Sequence, residues 1–123
     1  MLRPLETLDE IAARERPENF YVGVERDGVL VAVGWVRPEG PGRSWRVGSM
    51  AIADSHRGQG LGRLVIAELV EHARNQAAER VWCNARLGAV GFYERQGWTV
   101  ESTEPFAVIG AGEHHRMAIV LSA

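Results

Sequence analysis

The sequence has no lysine, so all fourteen of its basic side chains are arginines. Sixteen acidic residues outnumber them, and the net charge is −2. A protein that binds nucleic acid through its surface charge would show a basic excess or a basic stripe instead. We therefore predict no nucleic-acid partner.

Cysteine and long apolar runs are also scarce. Cys83 is the only cysteine, which excludes an internal disulfide and indicates a reducing compartment such as the cytoplasm. No run approaches the roughly 18 apolar residues of a membrane span, and Arg3, Glu6 and Asp9 interrupt any signal-peptide core. No H-E-x-x-H motif or Cys/His cluster is present, so we predict neither a metal site nor a membrane partner.

The length of 123 residues predicts one domain, spanning 1–123, with its own hydrophobic core. Apolar periodicity predicts strands at 20–25, 29–36, 44–52, 80–84, 98–101 and 115–121. It predicts helices at 5–16, from 61 to about 79, and at 87–96, with a loop at 105–112. Asp27-Gly28 predicts a hairpin turn, Gly48 a bulge, and Gly97 the residue that ends the third helix. The fold class is thus a mixed α/β (α+β) sheet, in which an antiparallel meander precedes a β-α-β-α-β segment and helices pack on the sheet.

A glycine-rich turn joins the third strand to the long helix. Its sequence is His56-Arg57-Gly58-Gln59-Gly60-Leu61-Gly62-Arg63. Glycines let an anion approach the main chain, and the first N–H groups of the helix add a partial positive charge. The turn could bind a pyrophosphate, or it could be a tight connection that binds nothing. It is not a P-loop, which requires lysine, and it lacks the third glycine and the acidic residue of a dinucleotide fingerprint.

Two segments carry a resemblance to a known family. The first, Arg57-Gly58-Gln59-Gly60-Leu61-Gly62, matches R/Q-x-x-G-x-G/A. The second, residues 84–98, is similar to N-x-x-A-x-x-F-Y-E-x-x-G-F. In this order and at this distance, they resemble the acyl-CoA-binding loop and the following segment of the GNAT superfamily of N-acetyltransferases. The tail from Glu104 to Met117 is similar to the P-F…G-x-x-H-x-x-M ending of the ElaA-like branch.

The resemblance implies an enzyme that transfers acetyl from acetyl-CoA, as co-substrate, to the amine of a small molecule or peptide by direct attack in a ternary complex. The residues it implies for the donor are Met50, Ala51, Ile52, Arg57, Gly58, Gln59, Gly60, Leu61, Gly62, Arg63, Asn84 and Phe92. Asn84 could instead cap the following helix. Phe92 is expected to fill the hydrophobic core.

The resemblance also implies that Tyr93 is the acid that protonates the departing thiolate. Core packing is the structural alternative for this tyrosine. Relatives often carry a glutamate base on the strand before the glycine turn, where this chain has Gly48 and Ser49. The candidates that remain are Glu25, Glu104, His114 and His115, and the tail resemblance favours His114. The two histidines alternate on a strand, so at most one of them points into a cleft.

Three hypotheses follow for the function. The first is the N-acetyltransferase, and the second is a non-catalytic CoA-binding or sensing module with the same fold. The third is a half-site that becomes complete only in a homodimer, because few residues precede the first hairpin to wall an acceptor pocket. The acceptor itself is not identified by any motif.

Overall fold

The protein is described by a computed structural model over residues 18–108 and 112–121. Its strands are β1 (Phe20–Arg26), β2 (Val29–Pro38), β3 (Ser44–Ile52), β4 (Arg80–Arg86), β5 (Thr99–Val100), β6 (Phe106–Val108) and β7 (Gly112–Val120). Its α-helices are α1 (Leu61–Asn75) and α2 (Val90–Arg95), with single 3₁₀ turns at Asp54–His56 and Leu87–Ala89. The helix predicted at 5–16 lies outside the described residues.

The described strands form one mixed sheet in the order β1-β2-β3-β4-β7-β5, and β6 also pairs with β7. Strands β1, β2 and β3 are the predicted antiparallel meander, and β4 runs parallel to β3 after the helical crossover. The hairpin turn at Asp27-Gly28 has left-handed φ values of 53° and 78°, which suits the type I′ geometry that such a pair favours. The predicted fold class is confirmed.

The core lies between one face of the sheet and the two helices. Helix α1 packs across β1, β2 and β3, and α2 packs near β4, β5 and β7. The apolar stripe predicted for α1 is its buried face: Val65, Ile66 and Leu69 are at most 2 % exposed. From the sheet, Val36 and Met117 close the same core.

Helix α1 ends at Asn75, earlier than the predicted end near residue 79. Ala77 takes a left-handed φ of 64°, and Ala78 N–H bonds back to the Ala73 carbonyl at 3.0 Å. This is the geometry of a Schellman motif, in which glycine is the usual residue. Apolar periodicity continues through Ala77 and Ala78, so the sequence gives no stop signal there.

The end of α2 follows the prediction, but its start and the segment beyond differ. Gly97 has φ 90°, and Trp98 N–H bonds to the Tyr93 carbonyl at 3.1 Å, as expected for a glycine-ended helix. The first turn of the predicted helix is a separate 3₁₀ turn. The predicted loop at 105–112 contains β6, and β7 begins at Gly112 rather than at residue 115. Three residues are too few for a pattern of their own, and β6 forms because β7 supplies its hydrogen bonds.

Candidate active site

The glycine turn leads directly from β3 into α1. Gly58 and Gly60 have left-handed φ values of 77° and 76°, which explains why glycine stands at both positions. Gly60 caps the helix, and its carbonyl accepts from Leu64 N–H at 3.2 Å. The N–H groups of residues 61–63 have no acceptor within the helix and carry the positive end of its dipole.

A cavity of about 630 Å³ opens over this helix start. Of the residues predicted to bind the donor, those that line it are Ile52, Gly58, Gly60, Leu61, Gly62, Arg63 and Phe92. Arg57 and Gln59 are not among the lining residues, and the Arg57 side chain bonds Asp54 at 2.9 Å. Arg95, which has no counterpart in the glycine motif, lines the cavity from α2. The lining therefore holds two guanidinium groups and no carboxylate, which suits an anion such as a diphosphate.

Gly62 is required by close packing rather than by its backbone angles. A Cβ at this position would lie 3.0 Å from Ile52 Cδ1 and 3.4 Å from the Phe92 ring. The first turn of α1 therefore sits directly against β3 and α2. This contact brings β3 and α2 to one edge of the cavity.

Strands β3 and β4 pair only at their first residues, where 44–46 face 80–82, and they separate beyond that point. A bulge in β3 accompanies the separation, because Trp35 pairs with Gly48 while Val33 pairs with Ala51. The observed bulge thus lies between Gly48 and Ala51, next to the predicted position at Gly48. Where two strands part, the backbone groups on their facing edges lose their ladder partners and become available to a ligand.

A second cavity, of about 280 Å³, fills this gap. It is lined by Val47, Gly48, Met50, Cys83, Asn84, Ala85, Arg86, Ala89, Tyr93 and His114. Cys83 and Ala85 belong to the core beneath the helices, whereas Asn84 and Arg86 alternate with them and face the other side of the sheet. The cavity therefore passes through the sheet, and molecules could enter from opposite faces.

Tyr93 reaches this through-sheet cavity from α2 and is 7 % exposed. Burial raises the pKa of its phenol well above the ordinary value, and the adjacent Cys83 raises it further. Burial also raises the pKa of the Cys83 thiol to about 12, a shift that the hydrogen bond from Tyr93 partly opposes. Both groups are thus protonated at neutral pH, so Tyr93 can donate a proton but cannot accept one. Its ring also packs against Phe92 and Trp98, each with a centroid distance of 5.1 Å, so packing and chemistry are compatible.

Of the four predicted base candidates, His114 is the one that lines the through-sheet cavity. It is 5 % exposed, and its Nδ1 lies 3.0 Å from the Gly112 carbonyl oxygen. Because a carbonyl can only accept, Nδ1 carries the hydrogen and Nε2 of the neutral ring holds the lone pair. The neighbouring His115 is bonded instead to Ser102 Oγ at 2.8 Å, while Glu25 and Glu104 are exposed away from the cavity.

Of the two residues that stand in the region of the expected glutamate base, Gly48 has no room for a side chain. A Cβ on Gly48 would lie 2.3 Å from Cζ2 of Trp35, whose ring covers this backbone. Trp35 is 5 % exposed, and its Nε1 has no hydrogen-bond partner among the described residues. Trp45, on β3, packs edge-on against His72 of α1 instead. The pairing of Trp35 with Gly48 becomes visible only once the β2–β3 register is known.

The described residues contain no group of three or more His, Cys, Asp or Glu side chains that could hold a metal ion. Within the same residues, no helix is long and apolar enough to cross a membrane.

The chain matches known proteins over most of its length. Residues 2–98 match the model of the Acetyltransferase (GNAT) family. The chain is 31 % identical over 125 residues to a Bacillus subtilis (strain 168) protein named Uncharacterized N-acetyltransferase YitI, covering 93 % of this chain and 80 % of that protein.

Solved structures share its fold. An aminoglycoside 6'-N-acetyltransferase complexed with coenzyme A superposes with a TM-score of 0.77 at 15 % identity, covering 91 % of this chain and 78 % of that one. Escherichia coli ElaA gives a TM-score of 0.71 at 19 % identity, covering 84 % and 69 %. Together with the glycine turn and the parting of β3 from β4, these matches show that the chain belongs to the GNAT family of acetyltransferases.

Proposed function

We propose that the protein transfers the acetyl group of acetyl-CoA to an amine by direct attack in a ternary complex. The observation that carries this proposal is the through-sheet cavity, because Tyr93 and His114 both line it. The cavity over the glycine turn is lined by nearby residues of the same two elements, Ile52 of β3 and Phe92 of α2. A donor held on one face of the sheet and an acceptor entering from the other would meet within the gap between β3 and β4.

On the donor side, the main-chain N–H groups of residues 61–63 bind the diphosphate, with Arg63 and Arg95 as counter-charges. The facing edge of β3, from Met50 to Ile52, offers backbone groups to the pantetheine arm, and Asn84 offers a side-chain amide from β4. Acetyl-CoA is a co-substrate in this scheme, and no metal takes part.

On the acceptor side, Nε2 of His114 accepts a proton from the amine, directly or through one water. The neutral amine attacks the thioester carbonyl and forms the carbon–nitrogen bond, and the carbon–sulfur bond then breaks. Tyr93 protonates the thiolate that leaves, and the proton still on the acylated nitrogen restores the phenol. The raised pKa makes the Tyr93 phenol a weaker acid than an ordinary tyrosine, so its proton transfers only as the carbon–sulfur bond breaks and negative charge develops on the sulfur beside it. The acceptor is a small molecule or a peptide that presents an amine.

The test is thiol release from acetyl-CoA with a panel of amines, comparing wild type with Tyr93→Phe. General acid catalysis is worth roughly 10²- to 10⁴-fold, so we expect kcat to fall by at least about 10²-fold while CoA still binds. Tyr21→Phe is the matched control, because Tyr21 is the only other tyrosine and lies on β1. Equal rates for wild type and Tyr93→Phe would overturn the assignment of Tyr93.

A non-catalytic CoA-binding module is the second candidate, and it is favoured by the lack of any carboxylate among the described residues that line the through-sheet cavity. Binding of CoA in calorimetry, with no turnover on any amine, would support this module instead. If a homodimer completes the acceptor wall, dilution of the protein should lower both its activity and its sedimentation coefficient.

A further inference from the structure

A third cavity, of about 790 Å³, lies on the sheet face opposite the helices. Its walls include the edge of Trp82, the ring of Phe106 and Pro41, and its charged lining includes Arg80, Glu101 and Arg116. Trp82 is fixed, since its Nε1 donates to the Glu39 carbonyl at 2.7 Å. The volume is within the usual range for a pocket that binds a small molecule.

This cavity is the direct neighbour of the through-sheet cavity. Trp82 of β4 and Arg116 of β7 line the third cavity. Two residues further along β4, and two residues earlier on β7, Asn84 and His114 line the through-sheet cavity. Residues two apart on a strand share a face and lie roughly 7 Å from each other. Asn84 and Arg116 are paired across the two strands, so this pair separates the cavities.

Within the described part of the chain, the charges in the lining are balanced except for one. Arg80 forms an ion pair with Glu101, and Glu79 at the rim pairs with Arg43 at 2.6 Å. Arg116 has no carboxylate within ion-pair distance among residues 18–108 and 112–121. Its guanidinium instead lies 4.4 Å from the Trp82 ring centroid, and Nη2 reaches Asn84 Oδ1 only at 3.5 Å, the outer limit of a hydrogen bond.

A guanidinium stacked on an indole is held in place while its N–H edge stays free to bind a carboxylate with two parallel bonds. Both partners of that stack are already ordered, so little side-chain entropy is lost when an anion binds. The uncompensated charge is therefore a prepared site for one anionic group.

We propose that the acceptor is an amine that carries a carboxylate, with roughly 7 Å between the two groups. Arg116 binds the carboxylate, the carbon body lies against Trp82 and Phe106, and the amine reaches past Asn84 to His114. This inference rests on the proposed acetyltransferase function and names the chemistry of its acceptor.

The first test compares two amines that differ only in the para substituent, which is a carboxylate in 4-(aminomethyl)benzoate and a methyl group in 4-methylbenzylamine. With wild type, we expect kcat/KM to be at least about tenfold higher for the carboxylate, mainly through KM, because a charge-assisted pair forms. Arg116→Gln should abolish this preference, so that kcat/KM becomes about equal for the two amines. Arg43→Gln, which removes an exposed arginine at the rim, should preserve it. Equal kcat/KM for both amines in wild type would overturn the proposal.

The second test does not depend on turnover. The indole N–H resonance of Trp82, assigned by its loss in Trp82→Phe, should shift and saturate when 4-methylbenzoate is added, and should not shift in Arg116→Gln. No shift in wild type, or the same shift in the variant, would overturn the anion site. If neither amine is acetylated but the Arg116-dependent shift is present, the anion site stands and the transferase function is overturned.

Discussion

Strands β3 and β4 are hydrogen-bonded at one end and separate at the other, and the two ends differ in how their polar groups are satisfied. At the paired end, backbone groups of 44–46 and 80–82 bond each other. Side chains there are paired too: Glu39 accepts from Arg37 and Arg46, and both arginines lower the pKa of Glu39, outweighing the effect of its burial. The side chains at the paired end therefore form a polar network, in which the buried Nε of Arg46 has no hydrogen-bond partner among the described residues.

The separating end has the opposite character. Among the described residues, the facing edges of 47–52 and 83–86 have no strand partner in the gap, and the gap itself is a cavity. Tyr93 and Cys83 are buried and protonated there, and Nδ1 of His114 is bonded to the Gly112 carbonyl, which leaves the lone pair on Nε2 of the neutral ring. One pair of strands therefore supplies both stability and a site. Where the strands pair, their backbone N–H and C=O groups bond each other, and where they separate, these groups are available to a ligand.

The largest effect that would test this comparison is expected from His114→Gln, at the separating end. Removing the proposed base should lower kcat by about 10²-fold or more at neutral pH, with CoA affinity unchanged. His115→Gln is the control on the adjacent residue, which faces away from the cavity and bonds Ser102. Steady-state rates of thiol release measure both, and a small loss shared equally by the two variants would exclude His114 as base.

Gly48→Ala tests how tightly the gap is closed against side chains. The new Cβ would overlap the Trp35 ring, and such overpacking costs roughly 1–3 kcal/mol in the free energy of unfolding. Gly88→Ala is the control, since nothing lies within 4 Å of a Cβ at that position. Urea unfolding should show Gly48→Ala well below wild type and Gly88→Ala unchanged or up to about 1 kcal/mol more stable. Equal midpoints would contradict the packing of Trp35 on Gly48.

The double variant Arg63→Gln/Arg95→Gln tests the donor end of the site. Loss of both guanidinium groups should weaken CoA binding about tenfold, or about 1.4 kcal/mol, because the charge-assisted bonds to the diphosphate are lost. The control is Arg74→Gln, at the other end of α1, where the guanidinium lies 3.5 Å from Glu71. Calorimetry with CoA gives both affinities. If the double variant binds CoA as tightly as wild type, the two guanidinium groups do not contribute and the backbone N–H groups alone bind the diphosphate.

The smallest effect is expected at the paired end, from Arg43→Gln. The Arg43–Glu79 pair is more than half exposed on both sides, and such pairs contribute at most about 1 kcal/mol. The free energy of unfolding should fall by less than about 0.5 kcal/mol and approach the wild-type value as salt is added. A loss above about 2 kcal/mol would mean that the pair is coupled to the polar network around Glu39.

Predictions of secondary structure from the sequence were correct where the interactions that determine it join residues close together in the chain. Asp27-Gly28 and Gly97 take the left-handed angles that their turns require, and β3 has the predicted bounds of 44–52. They were wrong where the controlling partner is distant in sequence. Strand β6 depends on β7, and the left-handed Ala77 depends on how the chain returns from α1 to begin β4.

The candidate site shows the same division. The glycine turn and Tyr93 could be singled out by motif, since each motif is a short run of residues. Arg95 and Trp35 could not, because their roles arise from elements that the fold brings against the turn and against Gly48. Among the base candidates, the tail resemblance favours His114, and the tertiary structure distinguishes it from His115 by the different partners of the two rings and by its place in the cavity lining.

The sequence by itself determined the local architecture: a glycine turn between a strand and an amphipathic helix, an antiparallel meander, and an aromatic pair on a second helix. Backbone angles and apolar periodicity act over a few residues, so a linear pattern can specify them. The tertiary structure alone decided that β3 and β4 part after three pairs, that residues from both faces of the sheet line the gap, and that Arg116 has no carboxylate beside it among the residues that the structure describes. These features depend on register and on contacts between residues far apart in the chain, which no local pattern encodes.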